Sequence, residues 1–79
     1  MDDQVKILLF GILAEKTAAS EIFFPIEKDT DTLLANLKNK YPDLNDLKFS
    51  IAINQKIISG NTPIDLHDEI ALLPPFSGG

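Results

Sequence analysis

Chemistry in this chain of 79 residues points to its last six, Pro74-Pro75-Phe76-Ser77-Gly78-Gly79. Proline donates no amide hydrogen bond, so Pro74-Pro75 stops any strand before it and favours an extended path away from the body. Phe76 is a large apolar side chain placed just outside the fold, where it suits a groove on a partner. Ser77 is small, and Gly78 and Gly79 carry no Cβ, so both fit narrow channels closed to other residues. The expectation is a flexible stalk whose carboxylate, on Gly79, enters another protein's active site. Inert glycine ends are common. A di-proline and an aromatic between an apolar strand and the Gly-Gly set this one apart.

A carboxylate is a poor electrophile at neutral pH and has to be activated, for example as an acyl adenylate made with ATP. It can then accept sulfur to give a thiocarboxylate, or an amine to give an amide. Neither route needs a catalytic side chain on this chain. The sequence contains no cysteine, and Met1 holds its only sulfur. Any reactive sulfur must therefore be added from outside, and neither a disulfide framework nor a thiolate metal site is available.

Composition narrows the partners. The net charge is −5, and all seven basic residues are lysine. Without arginine forks or a basic patch, nucleic acid is excluded, and anionic membranes are disfavoured. A basic protein surface is the natural complement. The longest apolar stretch, Ile7 to Ala14 with Gly11 included, is too short to span a bilayer, and Asp2 and Asp3 precede it where a secretory signal carries positive charge. A cytoplasmic protein is expected. The length allows one domain, expected over residues 1–73, with 74–79 as a flexible tail.

The elements that must present this tail follow from periodicity. Gln4 to Leu13 reads as a first strand, with Val5, Ile7 and Leu9 on one face and Lys6, Leu8 and Phe10 on the other. Ala14 to Ala19 is a link with at most one helical turn. Glu21 to Ile26 is a second strand placed at an edge by Pro25. Asp29 to Lys40 is a helix capped by Thr30 or Asp31, with Leu33, Leu34, Leu37 and Tyr41 at helical spacing and Pro42 closing it. Phe49 to Asn54 is a third strand, and Asn54-Gln55 turns into a fourth at Lys56 to Ser59. Leu66 is expected to plug the core. Glu69 to Leu73 is the last strand, with Ile70 and Leu72 on one face and Ala71 and Leu73 on the other. One helix crossing a mixed sheet gives an α+β fold, and the β-grasp, or ubiquitin-like, topology fits the order.

The segment Asp68-Glu69-Ile70-Ala71-Leu72-Leu73-Pro74-Pro75-Phe76-Ser77-Gly78-Gly79 closely resembles the end of the molybdopterin synthase small-subunit family, a group of ubiquitin-like sulfur carriers. Val5 to Gly11, Leu33 to Pro42 and Ile51-Ala52-Ile53-Asn54-Gln55 resemble its first strand, its helix and its third strand with turn. The resemblance covers essentially the whole chain, and the tail is its specific part. It implies that Gly79 is adenylated by a ubiquitin-activating-type enzyme at the expense of ATP and becomes a thiocarboxylate. It implies that Pro74, Pro75, Phe76, Ser77 and Gly78 insert with it into a large subunit. There sulfur passes to cyclic pyranopterin monophosphate to build the molybdopterin dithiolene. Two small subunits would flank a dimer of large ones, which would carry the catalytic basic residues. No cofactor or metal is expected on this chain itself. Related carriers for thiamin, tRNA thiolation or cysteine synthesis remain open, as does a protein modifier joined through Gly79 to lysine amines. The chain departs from the family pattern at His67, where glycine is usual before the Asp-Glu pair and a left-handed turn would be suited.

Other candidate features carry less. His67 has no nucleophile or paired ligand near it in sequence and reads as a surface turn residue. Asp65, Asp68 and Glu69 match no calcium-loop spacing and read as a solvated acidic turn. Gly60 begins no phosphate-binding motif. Leu8, Phe10, Ala71 and Leu73 are different. If the first and last strands pair, these four share the face opposite the helix and form an apolar patch of the kind that marks a protein partner.

Overall fold

The computed structural model describes residues 3–75. Strand β1 (Gln4–Leu9) is followed by a short helix α1 (Ile12–Thr17), β2 (Glu21–Pro25), the main helix α2 (Thr30–Lys40), a 3-10 turn (Pro42–Asp46), β3 (Ser50–Ile53), β4 (Lys56–Ile57) and β5 (Glu69–Leu73). The strands form one five-stranded sheet in the order β2-β1-β5-β3-β4. β1 and β5 run parallel at its centre, and every other neighbouring pair is antiparallel. A mixed sheet with one main helix across it is the β-grasp arrangement.

The core lies between the sheet and α2. Val5, Ile7 and Leu9 of β1 and Ile70 and Leu72 of β5 are buried with Leu33 and Leu37 of α2. Period two on the strands and period three to four on the helix bring these side chains to one layer. Leu13, Phe24, Leu44, Ile53 and Ile64 close its margins.

Four local expectations are corrected. The first strand ends at Leu9, not Leu13. The chain turns at Gly11 (φ 58), and the Phe10 and Gly11 carbonyls accept from Leu13 and Ala14 at 3.1 Å each. Ile12 and Leu13 continue the apolar run but belong to α1, where Leu13 is fully buried. The cap of α2 is Asp29, whose carboxylate accepts from the Thr32 amide at 3.0 Å. Thr30, proposed as a cap, is instead buried, and its hydroxyl accepts from the Thr62 amide at 3.0 Å. Leu66 is no core plug, being 40% exposed. Ile64 takes that place, pinned by its amide to the Lys28 carbonyl at 3.1 Å. The fourth strand is two residues long, Lys56–Ile57, and does not reach Ser59.

Asn54 and Gln55 both adopt positive φ, 52° and 71°. That matches the two-residue hairpin turn whose twist suits the flanking strands. His67 is not among the positive-φ residues, so this turn makes no demand that only glycine meets.

Candidate functional site

The site is built around β5, the strand that leads into Pro74. Its entry is fixed by a clamp. The Asn54 amide group donates to Asp68 Oδ1 at 2.8 Å, and Asn54 Oδ1 accepts from the Glu69 amide at 3.0 Å. Asp68 Oδ2 accepts from the Asp65 amide at 2.8 Å. The Asn54 amide completes the set by donating to the Glu69 carbonyl at 2.8 Å. The Asp65 amide and then Asn54 hold the Asp68 carboxyl below the usual carboxylate range. The acidic turn is thus a structural lock on the register of β5. Among the described residues no group of acidic, histidine or cysteine side chains is placed to hold a metal ion.

Register then assembles the outer face. Leu8 lies opposite Ala71 in the parallel β1–β5 pair. Ala71 lies opposite Ala52, and Ala52 opposite Ile57. One row of apolar residues therefore crosses four strands on the side away from α2. Leu73 lies one step along β5 from this row, and Phe10 follows the end of β1. Together these residues line a concavity of about 370 Å³, with Gln55 and Glu69 at its rim. Leu8, Phe10, Ala71 and Leu73, singled out from sequence, are all in that lining.

Four of the lining residues, Ala52, Gln55, Ile57 and Glu69, were not assigned to this face from sequence. Ala52 is buried at 4% exposure although it faces outward, because Ala71 and Ile57 flank it. Ile57 is 56% exposed, and Glu69, at the start of β5, is half-buried in the same lining. The signal for Ile57 was present: a two-residue turn at Asn54-Gln55 places it opposite Ala52. On the β2 side Leu8 lies opposite Glu21, whose Oε2 is 3.3 Å from Lys6 Nζ, and the exposed Phe23 lies opposite Lys6 on the same face.

An apolar patch of this kind has an energetic meaning. Phe10 and Ile57 are large side chains left 45% and 56% exposed. Covering them recovers about 25 cal/mol for each Å² removed from water, a gain available only to a partner. Small alanines at the centre and larger side chains at the margin make the surface concave.

The tail begins at the upper end of this concavity. Pro74 is half-buried and Pro75 exposed. Phe76, Ser77, Gly78 and Gly79 lie outside the described residues. No helix among the described residues is long and apolar enough to cross a membrane.

Comparison with known proteins bears on this arrangement directly. A profile described as the ThiS family matches residues 7–79, taking in both the strand-lined concavity and the tail. The chain belongs to the ThiS family. It is similar to the molybdopterin synthase sulfur carrier subunit of Dictyostelium discoideum, at 40% identity over the whole of both chains. Among solved structures, the small archaeal modifier protein 1 from Methanosarcina acetivorans superposes with a TM-score of 0.83 at 28% identity, covering 100% of this chain and 99% of that one. A complex of subunits 1 and 2 of molybdopterin-converting factor from Helicobacter pylori matches with a TM-score of 0.71 at 29% identity, covering 96% of this chain and 99% of the other. The ubiquitin-like β-grasp fold of this ThiS-family chain is shared with these relatives.

Proposed function

We propose that this chain is the sulfur carrier subunit of a molybdopterin synthase and carries the reacting sulfur on its own C-terminus. The observation that carries the reading is the apolar concavity of Leu8, Phe10, Ala71 and Leu73 beside the strand that runs into Pro74. A docking surface thereby lies beside the strand that leads toward the C-terminus. The full-length likeness to a molybdopterin synthase sulfur carrier subunit supports the choice of pathway.

In this reading residues 1–73 are the docking domain and 74–79 the flexible arm. A ubiquitin-activating-type enzyme joins the Gly79 carboxylate to AMP from ATP and releases pyrophosphate. A sulfur nucleophile then displaces AMP to leave the thiocarboxylate. The outer face docks on a large subunit, and Pro74, Pro75, Phe76, Ser77 and Gly78 deliver Gly79 into that subunit's active site. The large subunit supplies the basic residues. Each thiocarboxylate passes one sulfur to cyclic pyranopterin monophosphate, so two charged chains supply the two sulfurs of the dithiolene, and water restores each Gly79 to a carboxylate. The assembly is a heterotetramer in the cytoplasm, and this chain binds no cofactor of its own.

The likeness to a small archaeal modifier protein favours a second reading, in which activated Gly79 is captured by a lysine amine. One experiment separates the two. The chain is expressed with its adenylating enzyme and a sulfur source, and its intact mass is recorded. Sulfur carriage replaces one oxygen by sulfur, and stable co-purification with a large subunit then selects molybdopterin synthesis over other carrier pathways. Covalent ladders on other proteins would mark a modifier. Removing Gly79 should abolish sulfur transfer and leave the melting temperature unchanged. Full transfer by the truncated chain would sink the proposal.

A further inference from the structure

Glu69 is the charged member of an otherwise uncharged lining. It shares the outer face of β5 with Ala71 and Leu73. Its main chain is held by a single residue. The Glu69 amide donates to Asn54 Oδ1 at 3.0 Å, and its carbonyl accepts from the Asn54 amide at 2.8 Å. Its carboxylate takes no hydrogen bond or ion pair among the described residues. Glutamine at this position would keep every one of these main-chain bonds, so the fold makes no use of the charge.

Register explains why the chain does not neutralise this charge itself. Lys6 lies opposite Glu69 in the β1–β5 pair and opposite Phe23 in the β1–β2 pair. Its ammonium is engaged by Glu21, with Nζ 3.3 Å from Oε2. Two carboxylates thus flank one lysine on this face, and one of them is left over. Glu21 is exposed on the edge strand β2, where water always reaches it. Glu69 is half-buried on β5, inside the sheet between β1 and β3. Water satisfies it in the free chain. A partner that fills the concavity strips that water away, and a carboxylate covered without a counter-charge weakens docking steeply. A cation on the partner reverses the sign.

We propose that Glu69 is the charge by which this face selects its partner, held for a lysine or arginine side chain that the partner projects into the apolar concavity. The proposal rests on the docking role given to this face above. The apolar lining supplies area, which many apolar surfaces match. The carboxylate adds a condition, because an uncharged or acidic surface of the same shape would strand it. Asn54 fixes the main chain of Glu69 before any partner arrives, so little order remains to be gained on docking. The net charge of −5 favours a basic partner in the same sense.

The test is the sign of the change when the charge is removed. Glu69→Gln keeps the shape and the Asn54 bonds. It is titrated calorimetrically against the large subunit beside Asp31→Asn, an equal change of net charge at an exposed position of α2. With a cation opposite Glu69, Glu69→Gln should bind about tenfold or more weakly, and Asp31→Asn should stay within about twofold of wild type. Equal or tighter binding by Glu69→Gln overturns the proposal, because removing a stranded carboxylate eases docking. An equal loss in the two variants also overturns it, since that reports net charge alone. Lys6→Gln tests whether the chain supplies the cation itself. If Lys6 swings to Glu69 on docking, its removal cancels the effect of Glu69→Gln in the double variant, and that result overturns the proposal. A second arm needs no partner. Phenylguanidinium and the neutral phenylurea are titrated into the isotope-labelled chain, and the amides of Leu8, Glu69 and Ala71 are followed by NMR. The cation should bind wild type about threefold or more tightly than the urea does and lose that preference in Glu69→Gln. Equal binding of the two probes, or none, overturns the proposal. Should wild type bind no large subunit, the function proposed above fails while the probe arm still judges Glu69.

Discussion

Replacing Leu73 by aspartate puts a charge into the lining of the concavity without entering the core. Leu73 is half-buried, lies opposite Ser50 at the end of the β3–β5 ladder, and faces away from α2. Folding gains only part of a leucine's transfer free energy here, so the variant should lose about 1 kcal/mol of stability. For a domain of this size that lowers the melting temperature by about 4–8 °C. Binding should suffer more. Docking covers the side chain, and the variant both forfeits the apolar contact and strands a carboxylate in the interface. The combined cost is about 3 kcal/mol, about a hundredfold in Kd. Calorimetric titration against the large subunit measures it, with Ala35→Asp on the exposed side of α2 as a control for added charge. Affinities for Leu73→Asp and the control that agree within a factor of about two would refute the docking face.

Two further outcomes concern the scaffold. Leu37 is 0% exposed, at the centre of the α2 face packed on the sheet. Leu37→Ala should cost about 3–5 kcal/mol in urea unfolding, a large share of the stability of so small a domain. A loss below about 1.5 kcal/mol would contradict the packing described. Acid stability should depend on two locked carboxylates. The side chain and amide of Thr32, with Asn61, hold Asp29 below the ordinary value, and the Asp65 amide with Asn54 does the same for Asp68. A carboxyl whose folded pKa is depressed stabilises the fold fully above its unfolded pKa, about 3.9, and loses that contribution as pH falls through the folded value. Stability should thus be flat above about pH 5 with respect to these groups and decline below about pH 4. In the double variant Asp29→Asn, Asp68→Asn the decline should be shallower, as followed by urea unfolding across that range. An unchanged slope would contradict the sign.

Much of this protein was legible in its sequence because the signals were local. Alternation placed Val5, Ile7 and Leu9 on one face of β1. The leucine spacing set α2, and Pro74-Pro75 marked the end of β5. The Asn54-Gln55 pair announced a tight turn. Signals failed where an apolar run changed conformation without changing character. Ile12 and Leu13 continue the strand-like pattern of β1, yet the turn at Gly11 hands them to a helix too short to show a period. Leu66 and Ile64 are indistinguishable as apolar residues in a connector. The anchoring of the Ile64 amide to Lys28 decides between them, and that is a contact across more than thirty residues.

Local order determined the kind of protein: an α+β domain ending in a proline stop, an aromatic and two glycines. Tertiary structure decided what that end stands beside. Parallel pairing of β1 with β5 joins residues 63 positions apart, and no local pattern encodes such a register. Through it Leu8 meets Ala71, Ala52 and Ile57 join them, and a scattered set of apolar side chains becomes one concave face. The same pairing brings Gly11, near the start of the chain, close to Pro74, the first residue beyond β5.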